Sequence, residues 1–179
     1  MFEKGLEKIN LNFSIESLKE FNSHYQFLSN EEVEAMTPVL FNSIISRPSR
    51  VCGVVKNEGN VGGAPFWIKN NEGVSKQIVE MAQISNDAIQ QKIMGESTHF
   101  NPVFIALSKK GEDDTLLNLE EFVDDSKILK VKKSHQGNTI NYRELPGLWN
   151  GSMHNWNTVF IELPKEIFTP VKSVLDLIK

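Results

Sequence analysis

Apolar residues recur at helical spacing in the first part of the chain. Ile15, Leu18, Phe21 and Tyr25 lie three or four residues apart, which places them on one face of a predicted helix. Ser14 directly before them is a suitable N-cap. The pattern therefore predicts that the chain begins with helices rather than with strands.

A second helix is predicted near Ser29, because Ser29 and Glu32 have the spacing of a capping box. Pro38 cannot lie inside a regular helix, so we expect two short helical pieces around it. Arg47 precedes a proline and is disfavoured in the helical region. We therefore expect an N-terminal helical segment over 1–46, forming a hairpin or an arm, and a C-terminal domain over 47–179.

The pattern changes after residue 50 to short runs of β-forming residues separated by glycine-containing stretches. The predicted strands are VCGVV at 51–55, PFWIK at 65–69, VFIAL at 103–107, ILKVK at 128–132 and TVFIEL at 158–163. Helical patterns occur at 77–85, at 87–94 and in the closing segment, where Thr169 can cap, Pro170 suits the first position and Val171, Val174, Leu175 and Ile178 form a stripe. We expect an α/β or α+β fold with a mixed sheet and flanking helices.

Composition narrows the class of protein. The 179 residues carry 19 Lys plus Arg against 23 Asp plus Glu, a formal net charge of −4. An acidic balance disfavours nucleic acid as a partner, and the small basic cluster at Lys127, Lys130, Lys132 and Lys133 is either a solvated strand or a phosphate clamp. No apolar run approaches the length of a membrane span, and no secretory signal is visible. A lone Cys52 forms no internal disulfide, so we expect a cytoplasmic protein without a membrane partner.

Two segments carry candidate ligand groups next to predicted strands. The loop at 57–66 contains Gly62 and Gly63, which either make a hairpin turn or let the backbone approach a ligand. His99 and Asn101 precede an apolar strand, where His99 either caps a turn or meets a ligand. Glu80 is flanked by apolar residues, so its carboxylate either pairs with a cation or faces a polar pocket.

The densest polar and aromatic segment is ELPGLWNGSMHNWNTVFIELP at 144–164. Amide side chains both donate and accept hydrogen bonds, and an indole offers a flat face to a sugar ring. Asn150, Asn155, Trp156 and Asn157 are therefore candidate sugar ligands, or else core anchors and turn formers. Histidine-based hydrolysis, using His99 or His154, is a weaker hypothesis.

No metal motif is present. The acidic residues at 120–125, with His135 nearby, lack a recognised ligand spacing. We therefore expect no cofactor, with a divalent cation such as magnesium as the one exception that the sequence leaves open.

Several motifs occur in an order that resembles the domain of unknown function 4301 family, uncharacterised bacterial proteins. They are RPSRVCGVVKNEGNVGGAPFWIK, QIVEMAQIS, THFNPVFI, FVDDSKI and ELPGLWNGSMHNWNTVFIELPKEIFTPVKSVLDLIK, and the opening MFEKGLEKINLNFSIESLKEFNSHYQFL is similar to the family's beginning. The chain departs from the family pattern at Asn60, Val61 and Ala64, and has HFNPVF instead of HFNPVD. Ala64 stands where the family pattern has a glycine. Its side chain disfavours a close approach of the backbone to a ligand at this position.

This resemblance implies that the chain folds like the C-terminal, sugar-side part of a nucleotidyltransferase-like protein. It also implies that the chain is either an internally shortened family member or a gene fragment. GVVKNEGNVGGAPFWIKNNEGVSKQIVEMAQI also resembles a uridylyltransferase segment in which a valine-glutamate strand lines the sugar side. That likeness implies that Glu80 accepts hydroxyls and that Asn101 donates to the sugar or its phosphate.

Two functions are expected from these observations. The first is binding of a sugar phosphate or nucleotide sugar without complete catalysis, since no nucleotide-binding glycine loop occurs and the catalytic residues are unassigned. The second is an interaction or scaffold protein that assembles through an exposed sheet edge and the N-terminal helices. A homo-oligomer is left open.

Overall fold

The computed structural model describes residues 1–59, 62–70, 73–111, 115–127, 129–144, 156–168 and 173–178. The chain begins with four helices: α1 (Phe2–Leu11), α2 (Ile15–Tyr25), α3 (Asn30–Glu34) and α4 (Pro38–Ile45). Ser14 caps α2, and Ser29 forms the predicted capping box of α3 with Glu32. Pro38 occupies the first turn of α4, so the two short helices on either side of it are confirmed.

The rest of the described chain is a mixture of strands and short helices, so the fold is mixed α/β. The elements are β1 (Ser49–Lys56), β2 (Ala64–Asn70), β3 (Gly73–Val79), α5 (Ala88–Gly95), β4 (His99–Phe100), β5 (Ile105–Ser108), β6 (Lys130–His135), β7 (Asn138–Arg143) and β8 (Asn157–Glu162). Short 3-10 turns follow β3, precede β6 and follow β8. No helix in this described part has the length and apolar character that a bilayer span requires.

Strand β1 is the centre of the main sheet. It pairs in antiparallel fashion with β5 and β4, and in parallel fashion with β8. Strands β2 and β3 form a separate hairpin, and β6 and β7 form a second one. Since β1 and β2 pair with different strands, the loop at 57–66 joins two sheets, and its interpretation as a hairpin turn is wrong.

The helical pattern at 77–85 is also wrong. Gln77 and Ile78 belong to β3 and are fully buried, opposite Phe66 and Pro65 of β2. A strand covered on both faces loses its alternation, so its sequence resembles a helix. The chain forms only a 3-10 turn after β3, at Met81–Gln83.

The closing segment differs from prediction where it is described. Val174–Ile178 forms a 3-10 helix rather than an α-helix, and its apolar side chains are exposed. Thr169, Pro170 and Val171 lie outside the described residues. The described members of the stripe are exposed, so they lack the packing that stabilises most short helices.

The N-terminal helices pack against one face of the main sheet. Their buried apolar side chains form one cluster with Val159 of β8, against which Val51 of β1 also packs. The cluster contains Phe2, Leu6, Ile9, Leu18, Phe27, Leu28, Val33, Met36, Phe41 and Ile44. The apolar stripe predicted for α2 therefore packs against other parts of the same chain.

The opposite face of the sheet is covered by the β2–β3 hairpin through a buried polar network. Arg50 is 1% exposed, and its guanidinium donates to Thr158 Oγ1 at 3.0 Å and to Gln77 Oε1 at 2.8 Å. Burial lowers the pKa of Arg50, which Cys52 partly opposes. Because Gln77 belongs to β3, the network fixes that strand and the chain that follows it.

Candidate functional site

Glu80 lies at the point where β3 ends and the 3-10 turn begins. Its backbone N–H donates to Gln83 Oε1 at 2.9 Å, and its backbone carbonyl accepts the N–H of Gln83 at 2.9 Å. The carboxylate accepts a hydrogen bond from the backbone N–H of Gly63. A backbone donor from a separate segment therefore orients the Glu80 side chain.

Gly63 packs directly against this carboxylate. A Cβ atom at Gly63 would lie 2.8 Å from Glu80 Oε1 and 2.6 Å from Ile78 Cγ2. Among the described residues, a Cβ at Gly62 would instead meet Phe100 alone, at 3.7 Å, which is an ordinary contact. Of the two neighbouring glycines, Gly63 is therefore the one that must lack a side chain for Glu80 and Ile78 to pack as they do.

The electrostatics of Glu80 favour a functional role. Burial raises the pKa of its carboxyl, Glu144 raises it further, and the Gly63 hydrogen bond partly opposes both. No cation in the described part of the chain forms an ion pair with Glu80. A half-buried carboxylate without a cation is costly unless it meets a ligand, so it can accept hydroxyls, take up a proton or bind a metal ion.

Glu144 adds a second carboxylate on the same side of the hairpin. Its backbone N–H donates to Leu129 O at 2.9 Å, at the base of the β6–β7 ribbon. The described residues contain no group of three metal-ligating side chains. A carboxylate pair nevertheless suits Mg²⁺, which binds through one or two carboxylates together with substrate phosphates.

Asn101 lies on the other side of Gly63. Its backbone N–H donates to Gly63 O at 2.7 Å, and its Nδ2 donates to Gly53 O at 2.6 Å. Its Oδ1 accepts from the backbone N–H of Val103 at 3.0 Å, where Val103 has a φ of +66°. Asn101 is thus next to the Glu80 site, with its amide bonded to backbone, and it supports the Gly63 loop and an unfavourable conformation.

His99 lies at the end of the main sheet, on β4. Its Nδ1 is 2.8 Å from Thr98 Oγ1, and its Nε2 is 3.6 Å from a carboxylate oxygen of Glu162. It borders a shallow cavity of about 380 Å³ that is lined by Phe66 and Trp67. None of these contacts involves Glu80, so His99 belongs to a different surface.

Trp156 and Asn157 are buried, each 4% exposed. The Arg50 guanidinium lies 5.7 Å from the centre of the Trp156 ring, and Trp156 Nε1 is a buried donor with no partner among the described residues. Asn157 Nδ2 donates to Ile44 O at 2.8 Å, on the helical side of the sheet. The structure therefore brings Asn101, Gly63 and Glu80 together and places Asn157 elsewhere, while Asn150, Asn155, Trp149 and His154 lie outside the described residues.

Sequence reasoning missed two parts of this arrangement. Arg50 could have been noticed as a cation at the start of an apolar strand, but nothing local identifies Gln77 and Thr158 as its partners. Glu144 gives no signal at all, since an isolated glutamate is usually solvated. Burial raises the pKa of the Cys52 thiol, which disfavours its reactive thiolate form.

Comparison with known proteins gives one result. A family model described as a domain of unknown function, DUF4301, matches residues 3–179, which includes the N-terminal helices as well as the sheets. No curated protein matches the chain.

Proposed function

Because this chain belongs to the DUF4301 family, which has no assigned activity, we propose a function from its own side chains: it binds a sugar phosphate or a nucleotide sugar at Glu80. The observation that carries this proposal is the Glu80 carboxylate. It is half-buried, oriented by the backbone N–H of Gly63 and not neutralised by a cation of the described residues. Such a group is an acceptor prepared for hydroxyls.

The surroundings of Glu80 support a hydroxyl-rich ligand. The segment rich in Asn and Trp, 145–155, is joined at one end to Glu144 and at the other to Trp156. Glu144 acts on Glu80, and Trp156 lies against Arg50, which binds β3 through Gln77. Both attachment points of that segment are therefore close to the strand that ends at Glu80.

A divalent cation between Glu80 and Glu144 would fit the phosphate of the same ligand. Mg²⁺ commonly uses one or two carboxylates and completes its shell with phosphate oxygens and water. Binding of a phosphorylated ligand is therefore expected to be tighter with Mg²⁺ than with EDTA. Catalysis is not part of the proposal, since the sequence contains no nucleotide-binding glycine loop.

Calorimetric titration with a panel of sugar phosphates and nucleotide sugars tests the proposal. We expect Glu80→Gln to weaken binding at least about tenfold, the equivalent of about 1.4 kcal/mol for one lost acceptor. Glu96→Gln, a change of the same size at the exposed C-cap of α5, is the control and should bind normally. Absence of heat with every ligand, or equal binding by both variants, would reject the site.

The pH dependence provides a second readout. The ionised Glu80 carboxylate offers both oxygens as hydrogen-bond acceptors, whereas the protonated form has one O–H donor. The affinity for a hydroxyl-bearing ligand is therefore expected to fall as the pH decreases through the raised pKa of Glu80. In Glu80→Gln this pH dependence should disappear. A pH profile that is unchanged by the substitution would show that another group controls binding.

Assembly through the N-terminal helices has weaker support. Their apolar side chains, such as Leu6, Leu18 and Phe41, are buried inside the chain against the sheet. The surface that the helices offer to a partner is mainly polar, with Leu11 of α1 and Val39 and Leu40 of α4 also exposed.

A further inference from the structure

The β6–β7 ribbon carries a strongly charged surface that is separate from the Glu80 site. Gln136 and Gly137 connect its strands with φ values of +50° and +80°, the conformation of a tight hairpin turn. The strands pair over six residues each, and neither pairs with another strand of the described chain. In the described part of the chain, both outer edges of the ribbon are thus without a strand partner.

The two faces of the ribbon differ in chemistry. Residues that are directly opposite in an antiparallel pair project from the same face. The register pairs Lys130 with Arg143, Lys132 with Asn141 and Ser134 with Thr139, and all six are exposed. We call this set the basic face. The other face carries Val131, Tyr142, Lys133, Ile140, His135 and Asn138, of which Val131 and Ile140 are partly covered.

The cations of the basic face have no acidic partner in the described part of the chain. No ion pair joins Lys130, Lys132 or Arg143 to a carboxylate of the described residues. Like charges directly opposite each other destabilise an antiparallel pair, as Lys130 and Arg143 do here. An anionic partner on this face would remove that repulsion.

This partner is not the ligand proposed for Glu80. Glu144 lies opposite Leu129, so by strand alternation it projects from the face that carries Tyr142. Glu80 is on the side of Glu144. The basic face therefore points away from the Glu80 site.

The distribution of charge distinguishes the two anionic partners that remain, a nucleic acid and a second copy of the chain. Without the three cations of the basic face, 16 basic and 23 acidic residues remain, a formal charge of −7 instead of −4. A nucleic acid is anionic throughout and meets only repulsion from such a body, whereas another molecule of the same chain offers cations to its carboxylates as well as carboxylates to its cations. Charge complementarity thus favours a second copy over a polyanion.

The complementary surface lies in the acidic turn at 119–125. Glu120, Glu121 and Asp125 are exposed, no described cation pairs with them, and the turn contains no lysine or arginine. Three cations on the basic face thus match three carboxylates in number. In a two-fold dimer each copy supplies both surfaces, so the contact occurs twice.

We propose that the basic face of the β6–β7 ribbon binds the acidic turn of a second copy of the chain. Exposed ion pairs contribute little individually and are screened by salt. The dimer is therefore weak and depends on ionic strength. It is independent of the ligand at Glu80, so the two proposals can fail separately.

Charge reversal combined with mixing tests the dimer. The first variant is Lys130→Glu/Lys132→Glu/Arg143→Glu, and the second is Glu120→Lys/Glu121→Lys/Asp125→Lys. We expect each alone to be monomeric by sedimentation equilibrium, because like charges then meet at both contacts. An equimolar mixture should restore the dimer, since both contacts of the heterodimer are again complementary.

A matched pair of single variants provides the control. Lys132→Glu and Lys133→Glu change neighbouring residues on opposite faces of the ribbon. Lys132→Glu is expected to raise the dissociation constant at least about tenfold at about 10 mM ionic strength, and Lys133→Glu to leave it almost unchanged. Circular dichroism of each variant checks that it is folded.

Three results would overturn the proposal. One is a wild-type protein that stays monomeric at low ionic strength. Another is a mixture of folded variants that does not associate. The third is a fluorescent duplex oligonucleotide that binds the wild type but not the ribbon variant, which would assign the basic face to nucleic acid.

Discussion

Gly63→Ala is the substitution whose effect can be worked out most directly from the structure. Its Cβ would lie 2.6 Å from Ile78 Cγ2 and 2.8 Å from Glu80 Oε1, so both side chains must move. Ile78 is 1% exposed and its surroundings are packed, which leaves it little space. The carboxylate of Glu80 is the softer neighbour, and its displacement breaks the hydrogen bond from Gly63.

The expected magnitude follows from two opposing effects. Overpacking of a core position costs about 1–3 kcal/mol. Replacement of glycine by alanine regains about 0.4–1 kcal/mol from the unfolded chain, because the φ of Gly63 is not in the left-handed region. The free energy of unfolding should therefore fall by about 1–2 kcal/mol, and the melting temperature by about 2–8 °C for a chain of this size.

Gly62→Ala is the matched control. Its Cβ would meet no described residue except Phe100, at 3.7 Å, so this variant should be as stable as the wild type or slightly more stable. Urea unfolding followed by tryptophan fluorescence measures both free energies, and calorimetric titration measures the ligand affinity. Equal stability of the two variants would refute the argument that Gly63 is required by close packing.

Three further predictions concern single residues. Arg50→Met should lower the free energy of unfolding by about 3 kcal/mol in urea titration, because Gln77 and Thr158 lose their partner while fully buried; an unchanged midpoint would contradict this. Glu80→Gln should raise stability near neutral pH, since the raised pKa means that stability is greatest below the unfolded pKa and is lost as the pH rises through the folded one. Thermal melts should show this gain vanish in acid, and a gain that persists there would have another cause. Asn157→Ala should cost about 1–3 kcal/mol by loss of the donor to the last turn of α4, and hydrogen exchange should then increase first in that helix.

Local signals in the sequence predicted the N-terminal helices well. Ser14, Ser29 and Pro38 act within a few residues of themselves, so their effect is visible without knowledge of the fold. The sequence of β3 was misread as a helix, because both faces of the strand are covered at Gln77 and Ile78 and its apolar residues do not alternate. Burial on two sides is a property of the tertiary structure, and the sequence does not show it.

The candidate site was predictable only in part. Glu80, Asn101 and Gly63 were each identified, and the structure brings them together. The sequence could not distinguish Gly63 from Gly62, because the difference arises from Ile78 and Glu80 across the hairpin. Likewise the bond from Asn157 to Ile44 joins residues that are 113 positions apart, and no local pattern encodes such a contact.

The parallel pairing of β1 with β8 also determines the order in which the chain can fold. Ser49 and Asn157 become neighbours only after the loop between them has closed, which is entropically slow. Val159 completes the cluster beneath the N-terminal helices, so the packing of those helices against the sheet forms late. On a ribosome, residues 1–45 can therefore pack only on one another until β8 has emerged.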